Sequence, residues 1–166
     1  MMTAEVQAPS EAEIVSRHKE RMPVDVDALA RDLGVNVVHA HDLGSQVAGK
    51  IQRDARLGGP SGFAVYVNAN DPPRRQRFTL AHELGHYILH RDLMDGGIVD
   101  DTMYRSPLGD WYERQANRFA ADVLLPEQLV RSEYRRGNKA LNVLAKRFDV
   151  SPDAMRIRLK ELNLGA

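Results

Sequence analysis

The sequence contains no cysteine. That absence removes disulfides, thiol nucleophiles and cysteine zinc sites together. It fits a reducing cytoplasm and leaves His, Asp and Glu as the side chains able to build a metal site. Net charge is also lacking, because 23 Lys and Arg balance 23 Asp and Glu. A protein that finds DNA through bulk positive charge is therefore not expected. No apolar run approaches the roughly 20 residues needed to span a bilayer. The opening MMTAEVQAPS has neither the basic end nor the apolar stretch of a secretory signal, so residues 1–10 read as a flexible tail.

What is present is ordinary for a globular domain. At 166 residues, with 43% hydrophobic and 28% charged, the chain can bury a core without a covalent staple. Charge is unevenly spread. Between Arg131 and Glu161 nine basic residues face four acidic ones, whereas 92–101 carries Asp92, Asp95, Asp100 and Asp101 and no base.

Patterning orders the chain. Residues 11–20 read as a short polar helix. Pro23 opens a second helix through about Leu33, with Val26, Leu29, Ala30 and Leu33 on one face and Gly34 as its stop. Val35–Ala40 reads as a strand and Val47–Gln52 as a weaker one. GGPSG at 58–62 is a turn, and Phe63–Val67 alternates like a half-buried strand that can pair with 47–52. Asp71-Pro72-Pro73 begins a helix through about His90. Asp110 caps another through about Leu125, which Pro126 ends. Three short helices follow at 127–136, 139–148 and 152–163. Helices, a few strands, then helices make an α+β pattern.

The strongest chemical signal is His82-Glu83-Leu84-Gly85-His86. Residues four apart on a helix share a face, so two imidazoles can reach one zinc at about 2.0–2.1 Å. Glu83 points to the neighbouring side. There it can act on the metal's water as a general base for peptide hydrolysis. By chance, roughly one chain in a hundred of this length and composition would carry the pattern. Its position in an amphipathic helix after a strand favours the functional reading over a surface histidine pair.

A catalytic zinc needs a third protein ligand. His90 lies about 12 Å along the axis from His82 on a continuous helix, too far to share an ion. It reads as packing or pocket-lining. Glu113 is the best candidate, since it shares a small, apolar stripe with Ala116, Asn117, Ala120 and Leu124. A carboxylate there needs a partner, and zinc supplies one. The rival is a salt bridge to Arg74, Arg75 or Arg77. Asn117, one turn on, can orient a ligand from behind. Tyr87, His90 and Tyr104 are candidates for steadying the tetrahedral intermediate. The strand 63–67 is a candidate sheet edge for an extended substrate, its rival being an ordinary central strand.

With these residues in hand, the sequence resembles the ImmA/IrrE family of bacterial metallopeptidases. The matching segments are RQRFTLAHELGHYILH at 75–90 and ERQANRFAADVLLP at 113–126, with weaker agreement over 23–67 and 139–164. The resemblance implies a zincin-like domain with a small, mostly antiparallel sheet packed on the HExxH helix. It implies a gluzincin-like Zn2+ site of His82, His86 and Glu113. It also implies a cytoplasmic endopeptidase whose substrate is a helix-turn-helix transcriptional repressor, cut under stress or phage induction. Members also occur as partners in toxin–antitoxin or mobile-element gene pairs.

The expected organisation is a peptidase domain at 11–137 and a C-terminal helical pair at 138–166 packed on it. Ala140–Phe148, Asp149-Val150-Ser151 and Pro152–Leu162 resemble a helix-turn-helix, with Met155, Leu159 and Leu162 inward and Arg156, Arg158 and Lys160 outward. Direct DNA binding is thus an alternative. Asp153 at the start of the would-be recognition helix, and Asp149 where the turn usually has glycine, count against it. A non-catalytic regulator that keeps the fold is a further alternative.

Overall fold

The computed structural model describes residues 7–95 and 107–165. Tyr104 and the acidic residues Asp100 and Asp101 lie outside them, as does most of the expected tail. Helix α1 (Glu11–His18) begins with a capping box: Ser10 Oγ accepts from the Glu13 amide at 3.2 Å, and Glu13 accepts from the Ser10 amide at 2.7 Å. Helix α2 (Val26–Asp32) starts later than Pro23. Asp25 accepts from the Ala28 amide at 2.9 Å and so fixes the first turn at Val26.

Strands β1 (Asn36–Ala40), β2 (Gly49–Arg53) and β3 (Phe63–Asn68) form one sheet in the order β1-β3-β2. β2 and β3 pair antiparallel, as the hairpin expectation has it, whereas β1 and β3 pair parallel. The sheet is therefore evenly mixed. β3 is its centre, not an edge, and Phe63, Ala64, Val65 and Val67 are buried from both faces. Among the described residues, β2 is the edge strand on the side of the histidine helix.

Helix α3 (Pro73–Asp95) carries the histidine motif and packs across β2 and β3. It runs several residues past His90. Helix α4 (Pro107–Leu124) lies against α3, with Asp110 inside its first turn rather than at its cap. Gly85 and Ala116 set the spacing of these two helices. A Cβ on Gly85 would stand 3.2 Å from Ala116 Cα and 3.1 Å from the Phe119 ring, so glycine lets the backbones approach closely.

Helices α5 (Glu127–Arg135), α6 (Leu141–Phe148) and α7 (Pro152–Glu161) complete the chain. Leu144, Phe148, Met155 and Leu162 belong to the same buried cluster as Leu29, Phe63 and Leu84. Burying each such large side chain contributes about 1.5–3 kcal/mol. Asp149 ends α6 in the left-handed conformation (φ 53°) that a glycine usually takes. Its carboxylate meets Arg74 at 3.4 Å and Arg77 at 3.3 Å, which ties this turn to α3. Arg158 departs from the outward expectation. It is 9% exposed, donates to the Leu125 carbonyl at 3.1 Å and pairs with Asp122 at 2.9 Å. The end of α4 offers it a carbonyl and a carboxylate, which a periodicity reading of α7 alone does not include.

Candidate metal centre

His82 and His86 stand one turn apart on α3, and their Nε2 atoms are 3.1 Å from each other. Glu113, on the first turns of α4, reaches both. Its Oε1 lies 2.8 Å from His86 Nε2 and its Oε2 3.1 Å from His82 Nε2. The close approach at Gly85 brings α4 near enough for this. The arginines that rival the histidines as Glu113's partner are engaged elsewhere: Arg74 and Arg77 at Asp149, and Arg75 at Asp71.

The outer nitrogens of both imidazoles are also held. Asn117 Oδ1 accepts from His82 Nδ1 at 2.8 Å. That bond keeps the His82 proton on Nδ1 and leaves Nε2 with a lone pair. His86 Nδ1 faces His90 Nδ1 at 2.9 Å, and His90 Nε2 meets Gln115 Oε1 at 2.7 Å. Two ring nitrogens and a carboxylate oxygen thus converge on one point. In a tetrahedral zinc site with arms of about 2.0–2.2 Å, donor atoms stand roughly 3.3–3.5 Å apart, only a few tenths of an ångström wider than here. Converging lone pairs repel one another unless a cation or proton lies between them, so this donor set fits a divalent ion.

Electrostatics follow from the same contacts. Burial opposes the Glu113 charge, yet His82 and His86 together hold its carboxyl well below the usual carboxylate range. Burial pulls the His82 imidazole down, but Glu113 and Glu83 outweigh it and raise it above its ordinary value. Glu83 is 8% exposed, and burial pushes its carboxyl up against the opposing pull of the two histidines. A carboxylate so raised is a better proton acceptor.

A cleft of about 720 Å³ opens over these residues, lined by His82, Glu83, His86, Glu113 and Met94 on one side and by β2 on the other. The Asn68 amide donates to the Ala48 carbonyl at 2.8 Å and the Asp54 amide to the Gly62 carbonyl at 2.9 Å. With Gly49 opposite Val67 and Arg53 opposite Phe63, this alternation directs the backbone groups of Lys50 and Gln52 to β3. Those of Gly49, Ile51 and Arg53 point away from it. Gly49 also lets the strand approach the helix, since a Cβ there would stand 2.5 Å from Thr79 Cγ2 and 2.7 Å from the Tyr66 carbonyl.

Not every candidate falls in the cleft. Tyr87 faces the opposite way: its hydroxyl donates to the Leu33 carbonyl at 3.4 Å and its ring packs edge-on to Phe63 at 5.3 Å. It is a core residue, because α2 covers that side of α3. His90 is buried behind His86, against the edge of Tyr112 at 4.8 Å, rather than on the cleft. The sequence places a weak strand at 47–52 but gives neither it nor Gln115 a part in the site. A glycine opening a weak strand was the available signal for β2.

The family model of the IrrE N-terminal-like domain matches residues 28–160. The radiation response metalloprotease IrrE of Deinococcus radiodurans is 35% identical over 105 residues, which span 61% of this chain and 32% of that protein. The metallopeptidase ImmA of Bacillus subtilis is 33% identical over 90 residues, 54% of this chain and 48% of that one. The chain thus spans about a third to a half of the length of these relatives. An immunity region protein of Bacillus phage phi105 is 27% identical over 132 residues, covering 80% of this chain and 75% of that protein. A transcriptional regulator of Mycobacterium tuberculosis shares the fold at a TM-score of 0.60 and 21% identity, over 90% of this chain and 45% of its own. With the family match spanning most of its length, and two histidines and a glutamate gathered at one point, the chain belongs to the IrrE N-terminal-like, ImmA/IrrE-type metallopeptidase family.

Proposed function

We propose that this chain is a zinc-dependent endopeptidase that cuts a protein substrate held extended across the cleft, and that it works in the cytoplasm. The convergence of His82 Nε2, His86 Nε2 and Glu113 within 3.1 Å is the observation that carries the reading. His82, His86 and Glu113 would hold the ion. Zinc in such a site polarises the scissile carbonyl and lowers the pKa of its water to roughly 7.

Glu83 is the general base. Its raised, buried carboxylate takes the proton from the attacking water and returns it to the departing amine. Asn117 and His90 hold the two imidazoles from behind. The outward backbone groups of Gly49 and Ile51 pair with the substrate as an added strand, which draws its scissile bond past Glu83.

The substrate class follows from the family resemblance: a helix-turn-helix transcriptional repressor. Direct DNA reading by α7 loses support, because Arg158 is committed to α4 and Asp153 pairs with Arg156.

The test is to incubate the zinc-loaded protein with a helix-turn-helix regulator encoded beside it. A single discrete cut, absent in Glu83→Gln and blocked by a chelator, is the expected result. Equal cutting by Glu83→Gln would overturn the assignment.

A further inference from the structure

The two imidazoles facing Glu113 are oriented differently. His82 is fixed in one step by an amide oxygen, whereas His86 is fixed in two. Its Nδ1 meets the Nδ1 of another histidine, His90, at 2.9 Å. Two histidine nitrogens can form a hydrogen bond only if one donates and the other accepts, so this contact does not itself say where the proton lies. The next bond decides it. His90 Nε2 lies 2.7 Å from Gln115 Oε1, an oxygen that can only accept.

The consequences run inward. His90 carries its proton on Nε2 and presents a bare Nδ1. His86 must therefore donate from Nδ1, which leaves its Nε2 bare and aimed at Glu113, 2.8 Å away. Reversing the Gln115 amide would reverse every step and place a proton on His86 Nε2, where a metal could not bind. Burial enforces the choice: His86 is 3% and His90 6% exposed, so solvent cannot readily substitute for a missing partner. Tyr112, edge-on at 4.8 Å, packs against the His90 ring and restrains it.

Resting on the metal-site reading above, we propose that Gln115 is a positioning residue that, through His90, sets the tautomer of His86 and so prepares that ligand for the ion. Gln115 touches neither the converging donor atoms nor the cleft.

The experiment compares the wild type with Gln115→Leu, which removes the acceptor, and Gln115→Glu, which keeps one. His90→Phe interrupts the relay while preserving a ring against Tyr112. The dissociation constant for zinc is measured by competition with a chromophoric chelator, and long-range ¹H–¹⁵N spectra of the zinc-loaded proteins report each histidine's tautomer. In the wild type, His90 should be protonated at Nε2 and His86 at Nδ1. Gln115→Leu and His90→Phe should each weaken zinc by about 10–100-fold, the usual cost of losing an outer partner. Gln115→Glu should bind within a few-fold of wild type. An Nδ1-protonated His90, or zinc binding by Gln115→Leu equal to wild type, would overturn the inference. If Glu113→Ala binds zinc as well as wild type, the metal-site reading itself fails, which separates the two.

Discussion

Two carboxylates in this molecule, one buried and one half-buried, have opposite fates. Glu133, on α5, is 2% exposed and closed by its own neighbours: Arg147 at 2.8 Å, Asn138 at 2.8 Å and Arg136 at 3.5 Å. Guanidinium and amide groups bring donors, so nothing is left to bind. Glu113, on α4, is also surrounded by nitrogen, but the nitrogens are imidazoles whose protons are already committed to Asn117 and His90. In their neutral forms they turn lone pairs toward Glu113. The first cluster is closed because guanidinium and amide donors satisfy Glu133 within the chain; the second fits a proton or a cation from outside. Nearby charge alone does not separate a salt bridge from a metal site, whereas the direction of the protons does.

The contrast can be broken at several points. The largest effect is expected at Glu83, a buried carboxylate that belongs to neither cluster. Glu83→Gln should cut the rate of peptide hydrolysis by about 10²–10⁴-fold, the usual contribution of a general base. Zinc content should be unchanged, so parallel activity and metal assays separate base from ligand.

Arg147→Met should destabilise the fold by about 2–3 kcal/mol in denaturant titration, because Glu133 is left buried with only its weaker partners. Zinc affinity should not move. If it does, the two clusters are not independent.

Gly49→Ala should cost about 2 kcal/mol of stability from overpacking against Thr79 and the Tyr66 carbonyl. It should also raise KM for an extended substrate more than it lowers kcat, since it displaces the edge strand rather than the ion.

The smallest effect is in pH. Glu113 favours the protonated form of His82, so its value in the metal-free fold lies above the ordinary imidazole pKa of about 6.5. Proton and metal compete for the same Nε2, so zinc affinity should rise with pH up to the raised His82 value and level off above it. The slope for one displaced proton is about tenfold per unit. An affinity flat across that window would mean that His82 is not a ligand.

These clusters also mark where sequence was informative. The histidine pair was legible because a four-residue spacing has one meaning on a helix. Glu113 was legible because a lone acid on a stripe of small residues demands a partner. Asn117 followed from its place one turn further on. What escaped was decided between elements. β3 reads as a half-buried strand, yet β1 pairs with it in parallel and makes it central, leaving β2 to face the cleft. Arg158 belongs by periodicity to the outer face of α7, but the end of α4 supplies Asp122 and the Leu125 carbonyl. Tyr87 sits on the motif helix, but α2 covers its face. Gln115 gave no signal, because an amide two residues beyond Glu113 means nothing until His90 is placed beside it.

The most direct test of the central claim is anomalous diffraction from crystals of the zinc-loaded protein, measured on both sides of the zinc edge. One strong peak is expected, within about 2.0–2.2 Å of His82 Nε2, His86 Nε2 and a Glu113 carboxylate oxygen. A peak bound elsewhere, or none between these three side chains at saturating zinc, would contradict it.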